Sequence, residues 1–406
     1  MSNRARAGAP VPLTLEFLLN EEIPVPLPQG ARGGSTLMAN SEPPSPLAGE
    51  GARRADEGSL RAVSRSIKTV ADLEGAKLVS VQSGLDPVAE KYAIGITPAV
   101  LDLIDRNDPA DPMALQFVPS TAELHTTAEE RDDPIGDLSH SPVEGIVHRY
   151  PDRVLLKAVH VCPVYCRFCF RREMVGPQGL GTLTSAELDV AMDYIADHTE
   201  IWEVILTGGD PLVLSPRRLA GLMERLAKIE HVKIVRFHTR VPVVEPERID
   251  AEMVAALTSS GKTTYLAVHA NHPREFSPAA RAAFKTLVEG GVVLVSQSVL
   301  LRGVNDDVET LAALMRGFVE NRIKPYYLHH PDLAPGTSHF RIGIEEGQKL
   351  VAALRGRISG LCQPTYVLDI PGGYGKADIG AATVSAGDGC FRVRDWQGEE
   401  HAYPPG

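Results

Sequence analysis

Three cysteines, Cys162, Cys166 and Cys169, fall within eight residues of the segment HVCPVYCRFCFRR, and the 406-residue chain holds only two others, Cys362 and Cys390. Three thiolates at C-x3-C-x2-C spacing on one tight loop can converge on a single metal centre, and iron–sulfur clusters are held by such thiolates. A four-iron cluster with three protein ligands keeps one iron open to another molecule. Two plainer readings stand beside it: a closed zinc site with His160 as the fourth ligand, or unrelated reduced thiols. Arg167, Arg171 and Arg172 nearby suit an anionic cluster or an anionic group on a substrate. An odd cysteine total in a long chain fits reduced thiols in a cytoplasmic setting better than a disulfide framework.

Two glycine-rich segments also hold chemistry. In LTGGDPL, Gly208 and Gly209 allow a ligand close to the backbone or simply make a turn, and the Asp210 carboxylate can accept a bond from an ammonium group. In PGGYGKAD, Lys376 sits where a backbone can wrap a phosphate-bearing aromatic cofactor. A lysine in that setting can form a Schiff base with pyridoxal phosphate (PLP); the plainer reading is a solvated surface lysine.

The elements that must position these residues alternate β and α. Strand-like runs are RVLLKAVH, WEVILTG, VKIVRFHT, TTYLAVHA, VVLVSQSVL and KPYYLHH, with PTYVLDI leading into the lysine loop. Helical patterns between them cover 184–198, 215–229, 246–257, 277–289, 307–321 and 343–354, several opened by Ser-Pro. Repeats of about 25–40 residues with nearly all-apolar strands predict parallel βα units covered on both faces. Six units predict a partial parallel (β/α)6 barrel, in which chemistry sits on the loops after the strands. Every motif above falls on such a loop or strand end.

Residues 1–68 contain at least eight of the 31 prolines and read as a low-complexity, disordered extension. Arg4 and Arg6 precede an apolar stretch, but Glu16 interrupts it and no small-residue cleavage site follows, against a signal peptide. Residues 69–150 read as a helical cap with helices at 86–92 and 97–104, residues 151–378 as the barrel, and 379–406 as a C-terminal tail. A formal charge of −11 argues against non-specific binding to nucleic acid or anionic lipid, and no apolar run is long enough to span a membrane.

HRYPDRVL, CPVYCRFCFRR, LTGGDPL, RVPVVEPERI, HANHP, QSVLLRGVND and PGGYGK occur in this order. The series resembles the lysine 2,3-aminomutase family of radical S-adenosylmethionine (SAM), PLP-dependent enzymes, over residues 86–378. The resemblance implies a [4Fe-4S] cluster on Cys162, Cys166 and Cys169, SAM on its open iron with Gly208, Gly209 and Asp210 at the SAM amino group, and PLP on Lys376. It puts His269 and Gln297 near SAM and Arg149, Tyr150 and Arg153 at the PLP phosphate. Arg171 would grip the substrate carboxylate, and Asp332 and Asp369 the side-chain ammonium of L-lysine; for Asp369 a structural role at a strand end is the alternative. The implied reaction shifts the 2-amino group to C3, giving β-lysine, with electrons from a reductant such as flavodoxin or ferredoxin, in a homo-oligomer.

Anaerobic members of that family carry a zinc site that starts from a cysteine just after LLRGVND. Here that position is Asp307 and the tail has only Cys390, so no zinc is expected. That departure and the PYYLHHPD segment also resemble the enzyme that supplies β-lysine for elongation factor P, a second branch with the same chemistry. A non-catalytic metal-binding relative is the remaining alternative, against which Lys376 and the Gly-Gly-Asp turn argue.

Overall fold

The computed structural model describes residues 66–172, 174–175, 181–386 and 391–403. Nine strands form one sheet in chain order: β1 (Ile146–Tyr150), β2 (Arg153–Val159), β3 (Glu203–Gly208), β4 (Ile234–Thr239), β5 (Thr263–His269), β6 (Val293–Val299), β7 (Lys324–His329), β8 (Thr365–Ile370) and β9 (Gly375–Asp378). From β2 to β8 every pairing is parallel. The six βα units expected from the pattern are therefore present, and PTYVLDI adds a seventh parallel strand. β1 and β9 flank this run antiparallel. The sheet curls until its edges meet, where the Tyr150 hydroxyl on β1 accepts the Lys376 N–H of β9 at 2.7 Å. The result is a nearly closed partial (β/α)6 barrel.

The helices between strands start where a side chain can satisfy the orphan N–H groups of the first turn. Thr184, Ser215, Asp250, Ser277 and Asp307 each accept the backbone N–H three residues on. They open helices Ser185–Asp197, Pro216–Ala227, Ala251–Thr258, Pro278–Glu289 and Val308–Glu320; Ile344–Ala352 completes the set. The third begins five residues later than the pattern predicts. Pro246–Arg248 forms a separate 3-10 turn, and the Asp250 carboxylate, 2.8 Å from the Met253 N–H, sets the true start. Apolar stripes such as Leu219, Leu222, Met223 and Leu226 pack on the sheet.

Ahead of the barrel lie helices Val70–Gly75, Asp86–Lys91, Pro98–Leu101 and Pro112–Phe117. Two expectations shift here. The helix predicted to reach residue 104 stops at Leu101, and the end of the cap stretch is β1, part of the sheet. Ile67, inside the stretch read as disordered, is buried and bridges to Ile96; residues 1–65 of that reading, the signal-peptide question included, lie outside the described residues. The C-terminal tail forms a small antiparallel sheet of Val384–Ala386, Phe391–Arg394 and Glu400–Tyr403, and Cys390 lies outside the described residues. No described helix is long and apolar enough to cross a membrane.

Candidate active site

One cavity runs down the barrel, from the cysteine loop after β2 to Arg153 at the start of that strand. It encloses about 1680 Å3 of atom-free space, its open mouth included. The residues that the resemblance assigns to cofactors and substrate all line it: the three cysteines, Gly208 to Asp210, His269, Gln297, Arg149, Tyr150, Arg153, Arg171, Asp332, Asp369 and Lys376.

The cysteine loop is held from beneath by the turn after β3. The Asp210 N–H donates to the Val161 carbonyl at 2.9 Å. Gly208 has φ +105°, and a Cβ on Gly209 would collide with the Val161 backbone. The glycines thus let two loops cross, and both also line the cavity. Asp210 ties in the next loop: its carboxylate accepts from the Thr239 hydroxyl (2.6 Å), the Leu212 N–H (3.0 Å) and the Arg240 N–H (2.7 Å). Burial raises the Asp210 carboxyl despite these donors.

The three thiols are unbridged. Burial first, then the charge of Asp210 and the neighbouring thiols, raises Cys162; burial and the nearby Cys166 push Cys169 up to about 11. Burial also raises Cys166, opposed by Arg240, whose Nη1 donates to its Sγ at 3.0 Å. Unbridged thiols crowded on one loop, with a buried guanidinium donating to sulfur, fit the donor chemistry of an anionic cluster. Among the described residues no three His, Cys, Asp or Glu side chains are disposed to hold a single ion, the three cysteines and His160 included.

Sequence reasoning overlooked Arg240. Its other nitrogen donates to Gln116 (2.6 Å) and Glu275 (2.7 Å), and the guanidinium lies 4.5 Å from the Phe117 ring centroid. Its one signal was its place just past a strand end, in RVPVVEP. Arg167 and Arg172 correct an expectation. Neither faces the cavity; both are buried and donate to Glu123, which is itself buried. Only Arg171 of the three turns to the site.

Another wall of the cavity is built on β8 and β9. Asp369 and Lys376 are register partners, and Lys376 Nζ lies 2.6 Å from Asp369 Oδ1. His329, at the end of β7, meets the other oxygen at 3.2 Å. Burial works to raise the Asp369 carboxyl, but His329 and Lys376 outweigh it and hold it low. Asp332 is pushed up to about 8 by burial and by the charge of Asp369. The pair thus splits into one ionised and one protonated member. Arg153 stacks 3.9 Å over the Tyr150 ring and pairs with Asp152 at 2.6 Å. Arg149 and Arg171 share a second residue that sequence reasoning did not single out, Asp137.

His269 and Gln297 are register partners on β5 and β6. Burial depresses His269 to about 3, and His238 on β4 likewise falls well below the ordinary range. Both are neutral imidazoles with Nε2 unpartnered inside the protein.

A parallel βα barrel with a three-thiol loop after its first parallel strand, braced by a Gly-Gly-Asp turn after the next, defines a radical SAM protein. Comparison agrees: the Radical SAM superfamily profile matches residues 156–315. The chain is 41% identical to the L-lysine 2,3-aminomutase of Clostridium subterminale over 73% of this chain and 71% of that protein. It is 40% identical to the L-lysine 2,3-aminomutase of Acetoanaerobium sticklandii, over 73% and 72%. Identity to the glutamate 2,3-aminomutase of Clostridioides difficile is 35%, over 77% and 74%. The chain belongs to the lysine 2,3-aminomutase family of radical SAM enzymes, isomerases that transfer an amino group within one molecule. Membership implies a [4Fe-4S] cluster and SAM.

Proposed function

We propose that this enzyme moves the 2-amino group of L-lysine to C3, giving β-lysine, with PLP carried on Lys376. The observation that supports this most is the charge layout of one cavity, which holds Arg171 and, beside Lys376, the carboxyl groups of Asp332 and Asp369. An α-carboxylate with a distant ammonium complements both. Glutamate would bring a second carboxylate against the ionised Asp369, a like-charge contact that disfavours it. Asp369 already accepts one primary ammonium, that of Lys376.

Cys162, Cys166 and Cys169 would hold the cluster, and Gly208, Gly209, Asp210, His269 and Gln297 would surround SAM. When bound, the cluster with SAM supplies a carbon radical, and PLP lets nitrogen migrate between neighbouring carbons. The protein's own part is positioning. Arg171 grips the carboxylate and the aspartate pair grips the ammonium, so C2 and C3 are held between two fixed charges. Tyr150 anchors the backbone of Lys376, and Arg149 and Arg153 offer guanidinium groups to a phosphate. The barrel walls keep water from the reacting carbons. A small electron carrier such as flavodoxin or ferredoxin would supply the electron, and assembly as a homo-oligomer in the cytoplasm completes the proposal. The PGGYGK loop and the aspartate pair support free lysine over the elongation factor P branch.

The test is anaerobic reconstitution with iron, sulfide, SAM, PLP and reductant, then incubation with L-lysine or L-glutamate and chromatography of the products. β-Lysine is expected from lysine alone. Asp369→Asn should raise the KM for lysine roughly 30-fold or more, as loss of a buried charge partner does. Glutamate turned over as fast as lysine, or full activity in Lys376→Ala, would overturn the reading.

A further inference from the structure

We propose that Asp137 is a positioning residue that fixes Arg171 and Arg149 in the cavity wall and, through Arg171, sets the selectivity for substrates bearing an α-carboxylate. The inference rests on the lysine reading above and deepens it. Asp137 sits in the loop before β1 and is buried. Its backbone is pinned on both sides: its N–H donates to Asp133 Oδ1 at 2.8 Å, and its carbonyl accepts from the Ser141 hydroxyl at 2.9 Å. One carboxylate oxygen accepts from Arg149 Nη2 and the other from Arg171 Nη2, each at 3.0 Å.

This carboxylate leaves the arginines unfinished. Arg149 Nη2 also donates to the Ile135 carbonyl at 2.8 Å, and Arg171 Nη1 lies 3.4 Å from the Thr207 hydroxyl. The Nε–H of each arginine is nevertheless buried without a protein partner, and both side chains line the cavity. A buried donor without a partner is costly unless a ligand takes it. Two guanidinium groups around one carboxylate also keep a net positive charge for an anion. Burial tends to raise the Asp137 carboxyl, but Arg171, Lys157 and Arg149 outweigh it and keep it ionised.

The segment that carries Asp137 also touches the lysine loop. His140 Nε2 meets the Gly373 carbonyl at 2.9 Å; a Cβ on Gly136 would collide with the Gly373 backbone, and one on Gly373 with the His140 ring. One short turn therefore fixes the loop of Lys376 and both arginines together. Arginine carries large rotamer freedom, and the planar fork grips a carboxylate well only when that freedom is removed beforehand.

The experiment measures lysine and lysinamide, which lacks the carboxylate, on reconstituted holoenzyme: Kd by calorimetry without reductant, and kcat and KM with it. In Asp137→Asn the lysine Kd and KM should rise roughly 10- to 30-fold while lysinamide binding stays within about twofold, so discrimination between the two collapses. In an Arg171→Gln background the same change should add little. A merely structural role would weaken both ligands alike. Unchanged lysine Kd, equal losses for the two ligands, or full additivity with Arg171→Gln would overturn the inference. Should Asp137→Asn fail to fold, Asp137→Glu keeps the charge on a longer arm, and an unchanged lysine Kd there overturns it equally. A parent enzyme that turns over lysine while Asp137→Asn binds it normally sinks this inference alone; a parent that neither binds nor converts lysine sinks the lysine reading and this inference with it.

Discussion

Asp332 and Asp369 line the same cavity with opposite acid–base characters, and that difference can be read as stability. Asp332, raised to about 8, binds its proton more tightly folded than unfolded. Its contribution therefore declines as pH climbs from the ordinary aspartate value, about 3.9, toward 8. Asp369 is depressed, so it favours folding above about 3.9 and loses that contribution only in more acidic solution. The buried neutral histidines His238, His269 and His329 gain stability as pH rises, but only up to about 6.5. Between pH 6.5 and 8 the Asp332 effect stands apart. In the cofactor-free chain, Asp332→Asn should gain stability over the parent by up to about 1.4 kcal/mol per pH unit across that range. Urea unfolding of both proteins at the two ends measures it, and parallel curves would mean that Asp332 is ionised throughout.

At the scale of elements, the crossing of the cysteine loop over the β3 turn decides where the thiols stand. Gly209→Ala forces a Cβ into the Val161 backbone and should cost about 1–3 kcal/mol, as overpacking does. It should also lower the iron retained per chain after reconstitution, with far-ultraviolet circular dichroism unchanged. Gly221, within helix Pro216–Ala227, makes the contrast: a Cβ there meets nothing within 4 Å, and Gly221→Ala should stabilise by about 1 kcal/mol without touching iron content. The parallel strands were legible in the sequence because each is an apolar run bounded by a helix cap. β1 and β9 were not. IVHRY ends in three half-buried residues and GKAD has no strand pattern; each is a strand only because its neighbour offers a ladder. The late start of Ala251–Thr258 was hidden for a similar reason, since Pro246 and Asp250 both look like openings and only local hydrogen bonding chooses between them.

Across the whole molecule, Glu123 joins the helical segment before the barrel to the cysteine loop. It receives Arg167 and Arg172 in a site closed to water. Glu123→Ala strands two buried guanidinium groups and should cost about 3–5 kcal/mol in chemical denaturation; a loss under about 1 kcal/mol would mean the cap merely rests on the barrel. Such long-range partnerships explain what sequence could not supply at the site. The cysteines, Gly-Gly-Asp and Lys376 announce themselves by spacing. Arg240, Asp137 and His329 acquire meaning only through neighbours brought from far along the chain, such as Glu275 for Arg240 and Asp369 for His329.

The ion pair between Lys376 and Asp369 carries a consequence for the order of loading. On the proposed reading, a chain that has not taken up its aldehyde cofactor offers its own ammonium to the carboxylate meant for the substrate. The internal amine and the incoming one compete for one seat. Engaging Lys376 elsewhere would vacate it, so on that reading the cofactor-free chain should bind lysine more weakly than the cofactor-loaded chain, a difference that calorimetry on the two forms measures.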